Sequence, residues 1–405
     1  MDEQNGSARA RWAVAGLFFI VGIVLSTWFT RIPQFKSGLS LSDAELTVAL
    51  LAPTVGALTG MQFAGRLTAR YGSAPIARVA TVLAPLALVV PAAAGDLTIA
   101  ILGLLVFGIV DGITDVAVNA QGVAVERALR RPVLSGMHAA WGIGAIVGAL
   151  SGAAAIAAGL TVLQHFAAMA AGTVAVALVA GSQLLPAGVD RSQTGGESPK
   201  PKRSWRSGWT RRVLGLGLLG GAAMLCEGAI SNWSAVFLQD ELAATAAVAS
   251  LGYSVFTVVE TGTRLVGDSV RGRIGPVLLV RVSVALAIAG LALVLLGSPA
   301  DTVWLAIVGF GVLGAGLATL NPIVFSAVGH GSVRDAGSAD AAGEAIAHYT
   351  TMSYGGVLAG PAVVGWLSGG IGLTGALACL FVPLLGIAMF ARLTASAEPV
   401  VKPSS

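Results

Sequence analysis

An all-α membrane protein of twelve transmembrane helices, arranged as two six-helix pseudo-symmetric bundles, is the fold class that this 405-residue sequence predicts. Three observations carry that expectation. The composition is 55% hydrophobic and 11% charged, with a mean hydropathy of +0.83, whereas soluble domains carry about 25% charged residues. Apolar runs of the roughly 20 residues that a bilayer-spanning helix needs recur along the chain, broken at short polar or Gly/Pro points. One long polar stretch, PAGVDRSQTGGESPKPKRSWRSGWTRR at 186–212, divides those runs six and six and has the composition of a flexible linker. The expected organisation is an N-terminal bundle over 1–185, a cytoplasmic linker over 186–211 and a C-terminal bundle over 212–405.

The spans are expected at 12–32, 44–65, 74–94, 97–123, 133–157, 160–184, 212–238, 246–266, 276–297, 301–326, 340–367 and 371–392. The first follows ARAR, outlasts a signal-peptide core and has no small-residue cleavage site before TWFTRIP, so it stays as a helix. The second opens with SDAE, a capping box of Ser42 and Glu45. In the fifth, Gly144, Gly148 and Gly152 recur every four residues, which suits close approach of another helix. Cys226 and Cys379 stand alone in apolar runs, so neither a disulfide nor a metal site is expected, and no cofactor.

With the N-terminus inside, twelve alternating spans leave only Arg31 and Lys36 among the lysines and arginines outside. The positive-inside rule then puts both termini in the cytoplasm of a multi-pass protein of the cytoplasmic (inner) membrane. The net charge of +4 faces anionic lipid under this arrangement, and no nucleic-acid partner is expected. Walker and Rossmann glycine fingerprints are missing, as is a Ser/His/Asp arrangement in a soluble domain, so neither ATP-driven transport nor an enzyme is expected.

The halves echo each other. Ser26-Thr27-Trp28 in the first span matches Ser231-Asn232-Trp233 in the seventh, and Arg66–Leu67 at the end of the second matches Arg264–Leu265 in the eighth, an offset of 198 (66 to 264). Parallel repeats imply a pseudo-twofold axis along the membrane normal with a cavity between the halves. AGRLTARYG at 64–72 resembles the 2–3 loop signature of the major facilitator superfamily, with Ala69 where its Asp usually falls, and the whole chain is similar to that superfamily. WFTRIPQFKSGLSLSDAEL, DVAVNAQGVAVE, MHAAWGIG, EGAISNWSAVFL and GVLAGPAVVGWL resemble its YbjJ-like branch, akin to fucose/galactose/glucose:proton symporters. The fold implied is the major facilitator fold, with the first, fourth, seventh and tenth helices lining the cavity.

A charged residue at the bilayer centre costs on the order of 2.5–3.5 kcal/mol on insertion scales, so intramembrane acids are functional candidates. Asp111, Asp115 and Asn119 follow at four-residue steps in the fourth span and make one polar stripe. Asp111, Asp115 and, in the seventh span, Glu227 are read as proton-coupling groups, with His138 and His348 as relays; Glu344 stands four residues before His348, in pairing distance. Asn119, Asn232, Trp233, Trp141 and Asn321 are read as substrate-binding, because amides and indoles bind a hydroxylated solute by hydrogen bonds and ring stacking. Trp233 also fits an interfacial aromatic belt. By resemblance, Arg66, Arg70, Glu260, Arg264 and Asp268 form a cytoplasmic gate. The partners expected are a small-molecule substrate, a proton and the lipid bilayer, and the protein is expected to be a monomer. Three readings stay open: a proton-coupled carrier of a small polar solute, with a sugar or sugar-like compound favoured; a proton-driven exporter of a metabolite or drug; and a non-transporting receptor or scaffold.

Overall fold

Helices take up nearly all of the computed structural model, which describes residues 2–129, 133–186, 209–298, 302–336 and 339–397. The contacts divide the chain into two compact units, Met1–Lys200 and Pro201–Ser405. In the first, α1 (Asp2–Phe29), a short α2 (Ile32–Gly38), α3 (Asp43–Tyr71), α4 (Ser73–Ala92), α5 (Leu97–Leu129), α6 (Leu134–Ala157) and α7 (Val162–Gly181) follow in order. In the second come α8 (Arg211–Asp240), α9 (Ala246–Ile274), α10 (Pro276–Gly297), α11 (Val303–Leu317), α12 (Leu320–Ala336), α13 (Ala339–Ala378), α14 (Phe381–Phe390) and a 3-10 turn at Ala391–Ala397. Most of the linker, 187–208, and the side chains of Asp268, His330 and Glu344 lie outside the described residues.

Ten stretches among the described residues are long and apolar enough to cross a membrane. One of them, His348–Ala395, runs for 48 residues, about twice what a span needs, and is interrupted at Gly372. α9 falls outside the ten because Glu260, Arg264, Asp268, Arg271 and Arg273 make it too polar. Counting α9 and dividing that long stretch accounts for the twelve spans of the fold.

Both units use one packing scheme. In the first, α1 lies against α6, α3 against α5, and α4 against α5 and α7; in the second, α8 lies against α13, α9 against α11, and α10 against α11 and α14. Lipid supplies no hydrophobic drive between helices, so small residues that let backbones touch hold such bundles together. Gly144 and Gly148 of α6 sit on the carbonyls of Phe19 and Ile23 in α1, and Gly152 on the Thr30 side chain. Gly356 and Gly360 of α13 sit likewise on Gly221 and Leu225 of α8.

Caps and turns set the register of the repeat. α3 and α9 each have 29 residues; Ser42 caps one by accepting from Glu45 N, with the reciprocal Glu45 bond completing the box, and Thr245 caps the other by accepting from Val248 N. They end at Gly72 (φ 87°, ψ 158°) and Gly275 (φ 76°, ψ 162°), a conformation open essentially to glycine alone. The remaining left-handed residues of the described chain also pair across the halves, Ser40 with Ala243 and Gly159 with Gly372. Cap and turn therefore both give an offset of 203 (72 to 275) in these helices. This corrects the offset of 198 read from the Arg–Leu matches: Arg264 stands opposite Met61, Glu260 opposite Ala57, and Arg66 opposite Ser269.

The tenth span is broken, where a continuous helix over 301–326 was expected. α11 stops at Leu317 and α12 starts at Leu320, because Pro322 has no N–H to give the carbonyl four residues back, that of Ala318.

Candidate functional site

The carbonyl that Pro322 leaves orphaned is taken up by Arg264, whose Nε donates to Ala318 O at 3.4 Å. The same guanidinium reaches two carboxylates: Nη2 lies 2.7 Å from Glu260 Oε1, one turn back on α9, and 3.3 Å from Glu227 Oε1 on α8. Glu227 and Glu260 both sit near the middle of their helices, so the cluster lies at mid-span. Exposure of the side chains falls from 29% for Arg264 through 19% for Glu227 to 6% for Glu260. Arginine suits the position, since its planar fork can serve several acceptors and it stays charged. Two carboxylates on one guanidinium leave one negative charge over.

Next to the break, Ser283 and Thr319 share a hydrogen bond of 2.8 Å between their hydroxyls. Three residues beyond Ala318, Asn321 accepts through Oδ1 and its backbone carbonyl from the Tyr349 hydroxyl on α13. The Tyr349 ring is buried over Gly220 of α8 and meets Phe325 edge-on at 5.7 Å. Glu227, Glu260, Arg264, Asn321 and Tyr349 thus join α8, α9, α12 and α13 around the break.

The first unit carries its acids differently. Asp111 and Asp115 both lie on α5, half-buried, and Asn119 Nδ2 donates to Asp115 Oδ1 (3.1 Å) and to its carbonyl (2.9 Å). Asp111 has no hydrogen bond or ion pair among the described residues. The helix is held so that this stripe is positioned by close contacts, with Gly108 and Gly112 seated on the Pro53 and Ala57 carbonyls of α3.

A family model for the major facilitator superfamily matches residues 124–339. An uncharacterized MFS-type transporter of Yersinia pestis is 32% identical over 376 residues, 93% of each chain, and membrane protein MosC of Rhizobium meliloti is 32% identical over 93% of this chain and 87% of its own. The chain belongs to the major facilitator superfamily. Its fold matches the nucleoside transporter NupG with a TM-score of 0.71 over 96% of this chain and 98% of that one, and a D-xylose-proton symporter with 0.68 over 97% and 98%, each at 15% identity. As a major facilitator it is a multi-pass membrane transporter and not an enzyme.

Within this major facilitator, the sequence-derived assignments fare unevenly. Glu260 and Arg264, read as part of a gate, pair with each other on α9 and with Glu227 of α8 near the middle of these helices. Arg271 is the α9 residue that reaches α12, donating to Ser326 Oγ at 2.9 Å. Arg66 and Arg70 are exposed near the end of α3, the Arg70 guanidinium resting over the Tyr71 ring. Trp233, read as a stacking surface for substrate, is fully buried in its bundle, and its Nε1 donates to Pro361 O of α13 at 3.2 Å. Asn232 is buried too, donating to Gly228 O of its own helix. His138 is exposed, bonded to Leu134 O and packed against Phe18; Trp141 is half-buried, its backbone under Gly22 of α1. His348 stacks on Trp209 at 4.2 Å. Its suggested partner Glu344 and the gate residue Asp268 have side chains outside the described residues. Among the described residues no cluster of His, Cys, Asp and Glu could hold a metal ion.

Sequence reasoning missed Tyr349 and the break itself. The signal for the break was present in LATLNP at 317–322, since the residue before a proline and the carbonyl four back both leave regular helix. Tyr349 carried no signal, because a lone tyrosine in an apolar run reads as packing.

Proposed function

We propose that this transporter is a proton-coupled carrier of a small polar solute, a sugar or sugar-like compound, working by alternating access in the cytoplasmic membrane. It falls in the YbjJ-like branch, acts as a monomer, keeps both termini in the cytoplasm and uses residues 186–211 as a cytoplasmic linker between bundles 1–185 and 212–405. The observation that carries the reading is the cluster of Glu227, Glu260 and Arg264. Two acids on one cation carry a single negative charge that one proton removes, so the cluster has two charge states at mid-span. Asp111 and Asp115 form the second proton-carrying group, and the half-buried Asn321, whose Oδ1 is held by the buried Tyr349 hydroxyl, offers its amide N–H groups to hydroxyls of the solute. The likeness to a D-xylose-proton symporter and a nucleoside transporter supports a solute bearing a sugar ring. One proton crossing 100 mV supplies about 2.3 kcal/mol, enough to hold a solute gradient of roughly 40-fold.

The test begins with thermal stability of the purified protein against pentoses, hexoses, nucleosides, polyols and lipophilic cations, and continues with the stabilising solute in proteoliposomes. With an imposed pH gradient, Glu227→Gln and Asp111→Asn should lose accumulation while retaining counterflow exchange. Full pH-driven accumulation in both variants would sink the coupling role. Stabilisation by lipophilic cations alone would instead support proton-driven export.

A further inference from the structure

Arg78 and Arg281 occupy the same place in the two bundles. Each is the sixth residue of its helix, α4 from Ser73 and α10 from Pro276, and each follows a left-handed glycine turn, Gly72 or Gly275. Both side chains are exposed on apolar surfaces: Val79 and Leu83 flank Arg78, and Leu278 and Val282 flank Arg281, all of them exposed. At 1.5 Å per residue, the two Cα atoms lie about 8 Å along the axis from the helix start, so the long side chain can carry its charge back to the headgroup layer.

Neither arginine has an acidic partner among the described residues. Arg78 Nε donates to the carbonyl of Gly181, the last residue of α7, at 2.5 Å, which leaves its terminal nitrogens for another acceptor. Beside it opens a groove of about 300 Å³ lined by Arg78, Val82, Ala177, Leu178, Gly181 and Ser182. Arg281 makes no hydrogen bond or ion pair with any described residue. A cation with no partner among the described residues, on an exposed apolar helix face, is within snorkelling reach of the anions of the headgroup layer.

We propose that Arg78 and Arg281 each bind the phosphate of an anionic glycerophospholipid, with the acyl chain of the Arg78-bound lipid lying in the groove between α4 and α7. The groove fits a ligand with a phosphate at one end and hydrocarbon behind it: the free guanidinium nitrogens of Arg78 stand beside Val82, Ala177 and Leu178, while the Ser182 hydroxyl donates to Val179 O at 2.7 Å. Inorganic phosphate would satisfy the guanidinium and leave that apolar wall uncovered. A net negative headgroup is favoured because each basic residue near an anionic leaflet gains attraction that a zwitterion does not supply. Repetition at equivalent places gives two such lipids per chain, independent of the coupling mechanism and of the solute.

Native mass spectrometry of the full-length protein, released from micelles doped with equal phosphatidylglycerol and phosphatidylcholine, tests this. The wild type should retain up to two phosphatidylglycerol molecules, about fivefold in preference to phosphatidylcholine at each site. Arg281→Gln, at a side chain with no hydrogen bond or ion pair among the described residues, should lose one of the two, and Arg281→Lys should keep it. Arg78→Gln should lose the other. Equal retention of the two lipids by the wild type, or undiminished phosphatidylglycerol on Arg281→Gln, would overturn the proposal; so would displacement of the lipid by millimolar inorganic phosphate, which would identify a plain anion site.

Discussion

The two bundles share a packing scheme and differ in how they treat buried charge. The N-terminal bundle puts its mid-span acids, Asp111 and Asp115, on one helix and pairs Asp115 with an amide. The C-terminal bundle spreads Glu227 and Glu260 over two helices and ties both to Arg264. By the register of the caps, Glu260 and Arg264 correspond to Ala57 and Met61, and by the register of the two tryptophans Glu227 corresponds to Gly22. The contact between the fourth helix and the second places Gly108 on Pro53, as Gly314 lies on Phe256, so Asp115 matches Asn321. A scaffold of glycine contacts, hydroxyl caps and left-handed turns is thus indifferent to which half carries the ions. Polar chemistry can diverge on it because the frame is held by backbone contacts and does not depend on those side chains.

The sharpest way to break this comparison is Arg264→Met, which copies the first bundle's residue into the second. It leaves Glu227 and Glu260 facing each other without a cation, and stability measured by denaturant titration in mixed micelles should fall by about 3–5 kcal/mol. Adding Glu227→Gly and Glu260→Ala, so that all three positions match the first bundle, should recover most of that loss, since replacing a whole buried ion cluster by apolar groups is often neutral. If the triple variant stays as unstable as the single one, the halves do not share an interchangeable frame.

A smaller effect is expected at the turns. Gly72→Ala and Gly275→Ala each force a side chain into a backbone region that only glycine occupies freely, at a cost of about 1–3 kcal/mol. The two losses should agree within roughly 0.5 kcal/mol if the turns are equivalent, and a clear inequality would show that the repeat is not energetically symmetric.

The smallest effect belongs to Pro322→Ala. An alanine N–H can bond Ala318 O, so the helix heals while Arg264 loses its backbone acceptor, and these changes should nearly cancel to within about 1 kcal/mol. Transport is the more sensitive readout: if the break positions Arg264, the variant should slow pH-driven uptake with little change in stability. Unchanged uptake would make the break a packing detail.

Much of this was legible in the sequence, residue by residue. The four-residue spacing of Gly144, Gly148 and Gly152 marked a close helix approach, which the structure gives to α1, and Ser42 with Glu45 marked the start of α3. The Asp111, Asp115 and Asn119 stripe followed from spacing alone; the Asn119–Asp115 bond came with the structure. What failed had a common origin. Matching Arg66–Leu67 to Arg264–Leu265 set the repeat by side-chain identity, whereas the caps and turns set it five residues away. By its sequence Trp233 fits a ring that stacks on substrate or one in an interfacial belt, but in the structure its ring fills the bundle and its Nε1 bonds Pro361 O.

The sequence by itself determined that the chain spans a membrane as helices, where close helix contacts and one capping box fall, and which acids lie within apolar runs. Those are properties of one segment, written in hydropathy and in periods of three and four residues. Tertiary structure alone decided that Arg264 joins Glu227 and Glu260, that Tyr349 holds Asn321, and that Trp233 is core. Such pairings depend on the rotation and register of neighbouring helices, where a shift of one residue turns a side chain through about 100°, and no single segment carries that information.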